Sequence, residues 1–233
     1  MTGQATSGMR PGRLHIRVLP GVWRPHNDAL ITVRLLADQR LAAGRDVLDM
    51  FTGSGALALS AARLGARSVT AVDLSRRAVA TVWFNAYRNG VSIRARRGNL
   101  FAAVPHETFD LVLANPPYYP GEATLPARGV ARAWEGGEDR RALIDPLCVQ
   151  VGDHLRPGGR LMLVHGSFND EQKSVDLLRQ HGLEAEVIYR HRGPLGAIGR
   201  ERVARLREQG LGVTAEGEDE EETVVVSAVK PAR

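Results

Sequence analysis

A strand that ends on a glycine-rich turn is the feature that most limits what this chain can become. Asp46-Val47-Leu48-Asp49-Met50-Phe51 reads as a buried strand, and it runs through Thr52-Gly53-Ser54-Gly55 into a helix from Ala56 to Leu64. Strand, glycine turn and helix in that order form the opening unit of a doubly wound sheet. The glycines let a ligand approach the backbone closely, and the helix start offers unpaired N–H groups. A dinucleotide would ask for a third glycine, but Leu57 and Ala58 stand where it is awaited. The acid ahead of the turn, Asp49, would repel a pyrophosphate. It suits a cationic ligand or, through a water, an amino-acid ammonium.

Strands and helices then alternate, which predicts an α/β fold with a largely parallel sheet. Ser68 to Asp73 is the second strand, and Asp73 stands about where a carboxylate takes both hydroxyls of a ribose. Asp73 and Ser75 equally suit a cap for the helix Ser75 to Asn89. Ile93 to Arg97 is a third strand followed by Gly98-Asn99-Leu100, where Asn99 reaches an adenine amino group or simply makes the turn. After Phe109 to Ala114 come a helix (Leu143 to Leu155), a strand (Arg160 to His165) and a helix (Asp170 to His181). A strand (Ala185 to Tyr189), a basic helix (Ile198 to Gln209) and a Val-rich strand (Thr223 to Val229) complete the pattern, the last after an acidic linker at Glu216 to Glu222.

Ahead of this core, residues 1–12 read as disordered, and Leu14 to Val18 alternates like a short strand. Asn27 or Asp28 can cap a helix running to Gly44, and Val22 to His26 is a loop able to lie over a neighbouring site. The expected organisation is a disordered 1–12, an N-terminal strand and helix over 13–45 covering the ligand site, and a core over 46–233.

The stretch with the most chemistry is Asn115-Pro116-Pro117-Tyr118, directly after the buried run Phe109 to Ala114. Two prolines end the strand and lock an asparagine at the rim of the sheet, where open α/β sheets bind ligands. The Asn115 side-chain oxygen and the Pro116 carbonyl can both accept from one NH2 group, and Tyr118 can stack on a flat substrate. The same residues also suit a plain proline turn.

Composition removes several alternatives. Cys148 is the only cysteine, so there is no internal disulfide. His154, His165, His181 and His191 lack metal-ligand spacing, and no metal site is read. No run approaches a membrane span and no signal peptide is recognisable, so the cytoplasm is the expected compartment. Net charge is +5, nearly all of it arginine, since Lys173 and Lys230 are the only lysines. Nucleic acid stays open as a partner, but no basic residues are interleaved with aromatics as single-strand binders require.

Taken together, Asp49 to Gly55, Asp73 and Asn115 to Tyr118 resemble the S-adenosylmethionine-dependent methyltransferases. That resemblance implies a seven-stranded, mostly parallel Rossmann-like sheet with helices on both faces. Asn-Pro-Pro-Tyr belongs to the branch that methylates planar nitrogen. Ala133 to Asp139, Ile144-Asp145, Arg190 to Gly196 and Pro20 to Asp28 resemble the HemK-like protein-glutamine methyltransferases, in the short form without a helical recognition domain. The resemblance implies S-adenosyl-L-methionine as cofactor and S-adenosyl-L-homocysteine as product. It places Asp28, Asp49, Phe51, Gly53, Gly55, Asp73, Leu74, Asn99, Leu100 and Asn115 around the cofactor, and Asn115, Pro116 and Tyr118 on the accepting nitrogen. The implied acceptor is a protein glutamine amide, as in a release factor. A base amine of RNA or DNA and a small metabolite are the alternatives, and a small activating partner is known among short relatives. Three positions depart from the family pattern: Ala29 for a usual Thr, Asn99 for a usual acid and Arg140 for a common Gly.

Overall fold

The computed structural model describes residues 14–121, 133–208, 210 and 220–232. The segment read as disordered, 1–12, lies outside them, as do Glu216, Glu218 and Asp219 of the acidic stretch. Seven strands make one sheet: β1 (Asp46–Met50), β2 (Ser68–Asp73), β3 (Arg94–Arg97), β4 (Phe109–Ala114), β5 (Leu155–Gly166), β6 (Glu184–Pro194) and β7 (Glu220–Val229). Their order is β3-β2-β1-β4-β5-β7-β6. The strands from β3 across to β5 pair in parallel, while β7 runs antiparallel between β5 and β6. The helices are α1 (Asn27–Asp38), α2 (Ala56–Arg63), α3 (Arg76–Asn89), α4 (Ile144–His154), α5 (Glu171–Gln180) and α6 (Ala197–Glu208).

Strand periodicity sorts the core into two layers, because successive side chains leave a strand on opposite faces. Leu48, Val112 and Leu161 pack with Ile144, Leu147 and Val151 of α4 and Val175 and Leu178 of α5. Val47, Leu111 and Leu113 turn the other way, onto Ile31 and Leu36 of α1 and Leu57, Ala58 and Ala61 of α2. Burying each such Leu or Ile contributes about 1.5–3 kcal/mol. Both faces are therefore covered, as a parallel sheet requires. The order of connection reverses between β1 and β4, so the carboxyl ends of these two neighbours open a crevice.

The opposite end of the sheet is pinned by charge. Asp46 accepts from Arg67 Nη2 at 2.7 Å and Arg156 Nη1 at 2.8 Å, and its own N–H donates to Asp110 Oδ2 at 2.8 Å. The Arg67 hydrogen bond holds the Asp46 carboxyl well below the usual carboxylate range, against the opposing effect of burial.

Two sequence expectations are corrected. Leu14 to Val18 is not a strand of the sheet. It is extended, but its partners are side chains. Asn89 Oδ1 accepts from the His15 N–H and its Nδ2 donates to the His15 carbonyl, while Asn85 does the same for Arg17, all at 2.8–3.0 Å. The alternation is real, with His15 and Arg17 exposed, but the surface it lies on is helix α3. The acidic stretch is the second. Glu220, Glu221 and Glu222 are not linker but the first residues of β7, opposite Pro194, Gly193 and Arg192. Arg190 makes this tolerable by bridging Glu222 at 3.1 Å and Glu171 at 2.8 Å. No helix among the described residues is long and apolar enough to cross a membrane.

Candidate active site

The glycine turn after β1 is stitched on both sides. The Gly53 N–H donates to Asp73 Oδ2 at 2.9 Å, and Asp73 Oδ1 accepts from the Ser75 N–H at 2.8 Å. Ser75 also caps α3, its side chain accepting from the Ala78 N–H. Ser75 is therefore the cap, and Asp73 ends β2 facing the turn. Asp49 lies under the turn and accepts from Thr52 Oγ1 at 2.6 Å and from the Ala58 N–H at 2.9 Å. Burial pushes its carboxyl up to about 7, although both hydrogen bonds pull the other way. Gly55 has φ 82, and a Cβ there would stand 3.1 Å from Val82 Cγ2 of α3. Glycine is thus required both for the turn and for the approach of α3.

These groups wall a cleft of about 1020 Å³. Asp49, Phe51, Gly53, Asp73, Leu74, Asn99, Leu100 and Asn115 all line it, as do Trp23 and Pro25 of the N-terminal loop. That loop forms part of the cleft wall. Gly55 lines no part of it and acts through packing. Two carboxylates at adjacent strand ends, an open asparagine after β3 and apolar walls suit a ligand with an ammonium, vicinal hydroxyls and a flat heterocycle. S-adenosylmethionine has these groups. Among the described residues no cluster of His, Cys, Asp or Glu could hold a metal ion.

A second pocket, of about 100 Å³, lies on the other side of Asn115 and takes in Asp28, Pro116, Pro117, Tyr118 and Tyr119. Asn115, Pro117, Trp23 and Ala133 belong to both spaces. Here the structure relocates Asp28. It does not cap α1, whose N-cap residue is His26, without a side-chain capping bond, and it does not line the large cleft. Its Oδ2 accepts from Asn115 Nδ2 at 2.9 Å and from the Tyr118 hydroxyl at 3.3 Å, and its Oδ1 accepts from the Ala29 N–H at 2.7 Å. An ionised carboxylate only accepts, so it must face the Asn115 NH2 group. The Asn115 carbonyl oxygen is then the atom left for a ligand.

Tyr118 is buried against Tyr119, with ring centroids 5.2 Å apart, and against Phe168. Burial, then the Asp28 charge, raises its hydroxyl well above the ordinary value, so it stays a neutral donor. With 6% of its surface exposed it offers little face for stacking a flat substrate.

Two contributors, Glu221 and Arg141, were not foreseen, and Trp23 has a part beyond its place in the loop read from the sequence. Trp23 stacks on His26 at 4.6 Å, fixing the loop over both pockets. Glu221 lines the small pocket and accepts from the Tyr119 hydroxyl at 2.6 Å. Arg141, 4% exposed, binds Asp145, Ser174 and the carbonyls of Asn169 and Asp170, anchoring the segment that brings Ala133, Glu135 and Leu143 to the cleft. An arginine beside a stretch of charged residues gives no sign that it will be interior. Next to it, Arg140 has φ 64, in the left-handed region that favours glycine.

Residues 14–132 match the family described as "Methyltransferase small domain". The chain is 28% identical over 182 residues to a Methanocaldococcus jannaschii protein with a provisional protein N5-glutamine methyltransferase name, covering 78% of this chain and 90% of that one. It is 37% identical over 161 residues to the release factor glutamine methyltransferase of Gloeobacter violaceus, covering 64% of this chain but only 56% of that relative. Among solved structures, the E. cuniculi Mtq2-Trm112 complex, responsible for methylation of the eRF1 translation termination factor, superposes with a TM-score of 0.62 at 19% identity, over 90% of this chain and 99% of that one.

Proposed function

The chain belongs to the methyltransferase small domain family and is an S-adenosylmethionine-dependent methyltransferase, and from that premise we propose that its acceptor is the side-chain amide nitrogen of a protein glutamine, in a peptide-chain release factor. The observation that carries this is Asn115, held by Asp28 with its carbonyl free, in the wall shared by a large cleft and a pocket of about 100 Å³. A pocket of that size suits a primary amide. The buried ring of Tyr118 argues against the stacking platform that a nucleobase would use. The names of the two relatives reported above support the same acceptor.

In this reading the large cleft holds the cofactor. Asp73, which ends β2 at the cleft wall, takes the ribose hydroxyls. Asp49 meets the ammonium, and Asn99 meets the adenine amine. Phe51, Leu74 and Leu100 give apolar contact. When bound, the cofactor supplies a methyl group already activated by its sulfonium, so the protein's task is alignment. The Asn115 side-chain oxygen and the Pro116 carbonyl accept the two N–H groups of the substrate amide. That turns the nitrogen lone pair out of conjugation and toward the large cleft. Both bonds strengthen as positive charge develops on nitrogen, which is differential stabilisation of the transition state. Asp28 keeps Asn115 from presenting its NH2 group instead. No general base is assigned.

A cytoplasmic location goes with this acceptor. So does a small partner subunit, supported by the exposed aromatics Trp83, Phe84 and Tyr87 on α3 and by the two-protein make-up of the Mtq2-Trm112 structure. A chain that is fully active alone would remove the partner from the proposal. The central test is the intact mass of release factor incubated with the protein and S-adenosylmethionine, with peptide mapping. A single methyl gain at glutamine is expected, cut by Asn115→Ala to a small residual rate while S-adenosylhomocysteine still binds. Cofactor binding without any gain on the release factor would move the acceptor to a base amine or a metabolite.

A further inference from the structure

We propose that Glu221 gives the acceptor pocket a charge preference, so that glutamines flanked by basic residues are methylated in preference to those flanked by acids. This deepens the glutamine reading and rests on it. The small pocket is lined by two carboxylates, Asp28 and Glu221, and by no lysine or arginine among the described residues. The two acids differ in what they have left to offer. Asp28 is 8% exposed, and its oxygens are occupied by Ala29, Asn115 and Tyr118. Glu221 is half-buried. Its Oε2 accepts from the Tyr119 hydroxyl at 2.6 Å, and its Oε1 receives only a long bond, 3.3 Å, from the Gly196 N–H. An ionised carboxylate has about four acceptor positions, so room remains for donors that arrive with a substrate.

Its surroundings leave the charge in force. Neighbouring Glu222 is paired with Arg190, whereas none of the ion pairs among the described residues reaches Glu221. The sheet register puts Glu221 opposite Gly193, at the end of β6 from which the chain turns through Gly196 at the pocket. A peptide that places its glutamine on Asn115 therefore brings its flanking residues within reach of this carboxylate. A unit charge about 7 Å from it, in a half-exposed setting, changes the relative rate about fivefold to tenfold.

The test uses two peptides centred on Gly-Gly-Gln, identical except for Lys or Glu on both sides of the triplet, with kcat/KM read from methyl gain by mass. The unmodified protein should favour the Lys peptide by about 25- to 100-fold, because the exchange turns an attraction of that size into a repulsion, and the ratio should shrink as salt is raised. Glu221→Gln should bring the ratio close to one, and Glu221→Lys should invert it. Tyr119→Phe removes the hydroxyl bond but keeps the carboxylate, so it should keep the preference; a loss there equal to that of Glu221→Gln would mean that Glu221 only anchors Tyr119. Equal rates on both peptides, or a ratio indifferent to Glu221→Gln and to salt, would overturn the inference and leave the glutamine reading intact. Methylation of neither peptide nor the release factor, with cofactor bound, would bring down both.

Discussion

Replacing Asp28 by asparagine tests the orientation of Asn115 without changing the shape of the site. In the structure the Asn115 NH2 group is fixed because Asp28 can only accept, at 2.9 Å and with 8% of its surface exposed. An asparagine at 28 can present either an oxygen or an NH2, so Asn115 is free to flip and offer its own NH2 to the substrate. A hydrogen bond to a charged group contributes about 1.5–3 kcal/mol, which corresponds to a loss of about 10- to 150-fold in kcat. Because Asp28 lies outside the large cleft, the affinity for S-adenosylhomocysteine, measured by calorimetry, should stay within about twofold. The decisive comparison is the double variant. If Asp28 acts through Asn115, Asp28→Asn adds nothing to Asn115→Ala, since coupled residues are not additive. A double variant slower than Asn115→Ala by the full Asp28 factor would refute the orientation argument, as would an Asp28→Asn protein of normal rate.

Two further predictions follow from the perturbed carboxyls. Asp49, raised to about 7 by burial, must ionise to meet an ammonium, so affinity for S-adenosylhomocysteine should rise between pH 5 and pH 7 and flatten above, by up to about tenfold per pH unit. Asp49→Asn should give a flat profile, and a flat wild-type profile would remove Asp49 from the ammonium. In the ligand-free protein the same raised carboxyl contributes stability that is full below its ordinary 3.8 and is lost as pH climbs through about 7. Asp46 has the opposite sign: its lowered carboxyl stabilises above the usual carboxylate range, and that share disappears as pH falls toward the depressed value. Thermal melts between pH 7 and pH 3 should therefore fall more steeply for the wild type than for Asp46→Asn.

Most of the sheet was legible in the sequence because its signals are local. A run such as Phe109 to Ala114 is apolar at every position but Asp110, is followed within two residues by a pair of prolines, and needs no knowledge of its neighbours. The glycine turn and the Asn-Pro-Pro-Tyr step were visible for the same reason. What stayed hidden depends on distant partners. Asp28 looks like a helix cap until Asn115, far along the chain, is brought against it. Glu220 to Glu222 look like solvated linker until Arg190 and Tyr119 supply a cation and a donor. Arg141 looks exposed until α5 offers it a hydroxyl and the turn before that helix offers two carbonyls. In each case the group that compensates a charged side chain comes from another element, which a local reading does not contain.

The docking of residues 14–18 along α3 has an evolutionary consequence. Asn85 and Asn89 read only the peptide groups of His15 and Arg17, both the N–H and the carbonyl, and never their side chains. Any residue with an N–H satisfies them, so positions 15 and 17 are free to drift among everything except proline. The address of that segment is written in the helix that receives it. Over long divergence the two asparagines should therefore persist while the sequence they hold becomes unrecognisable.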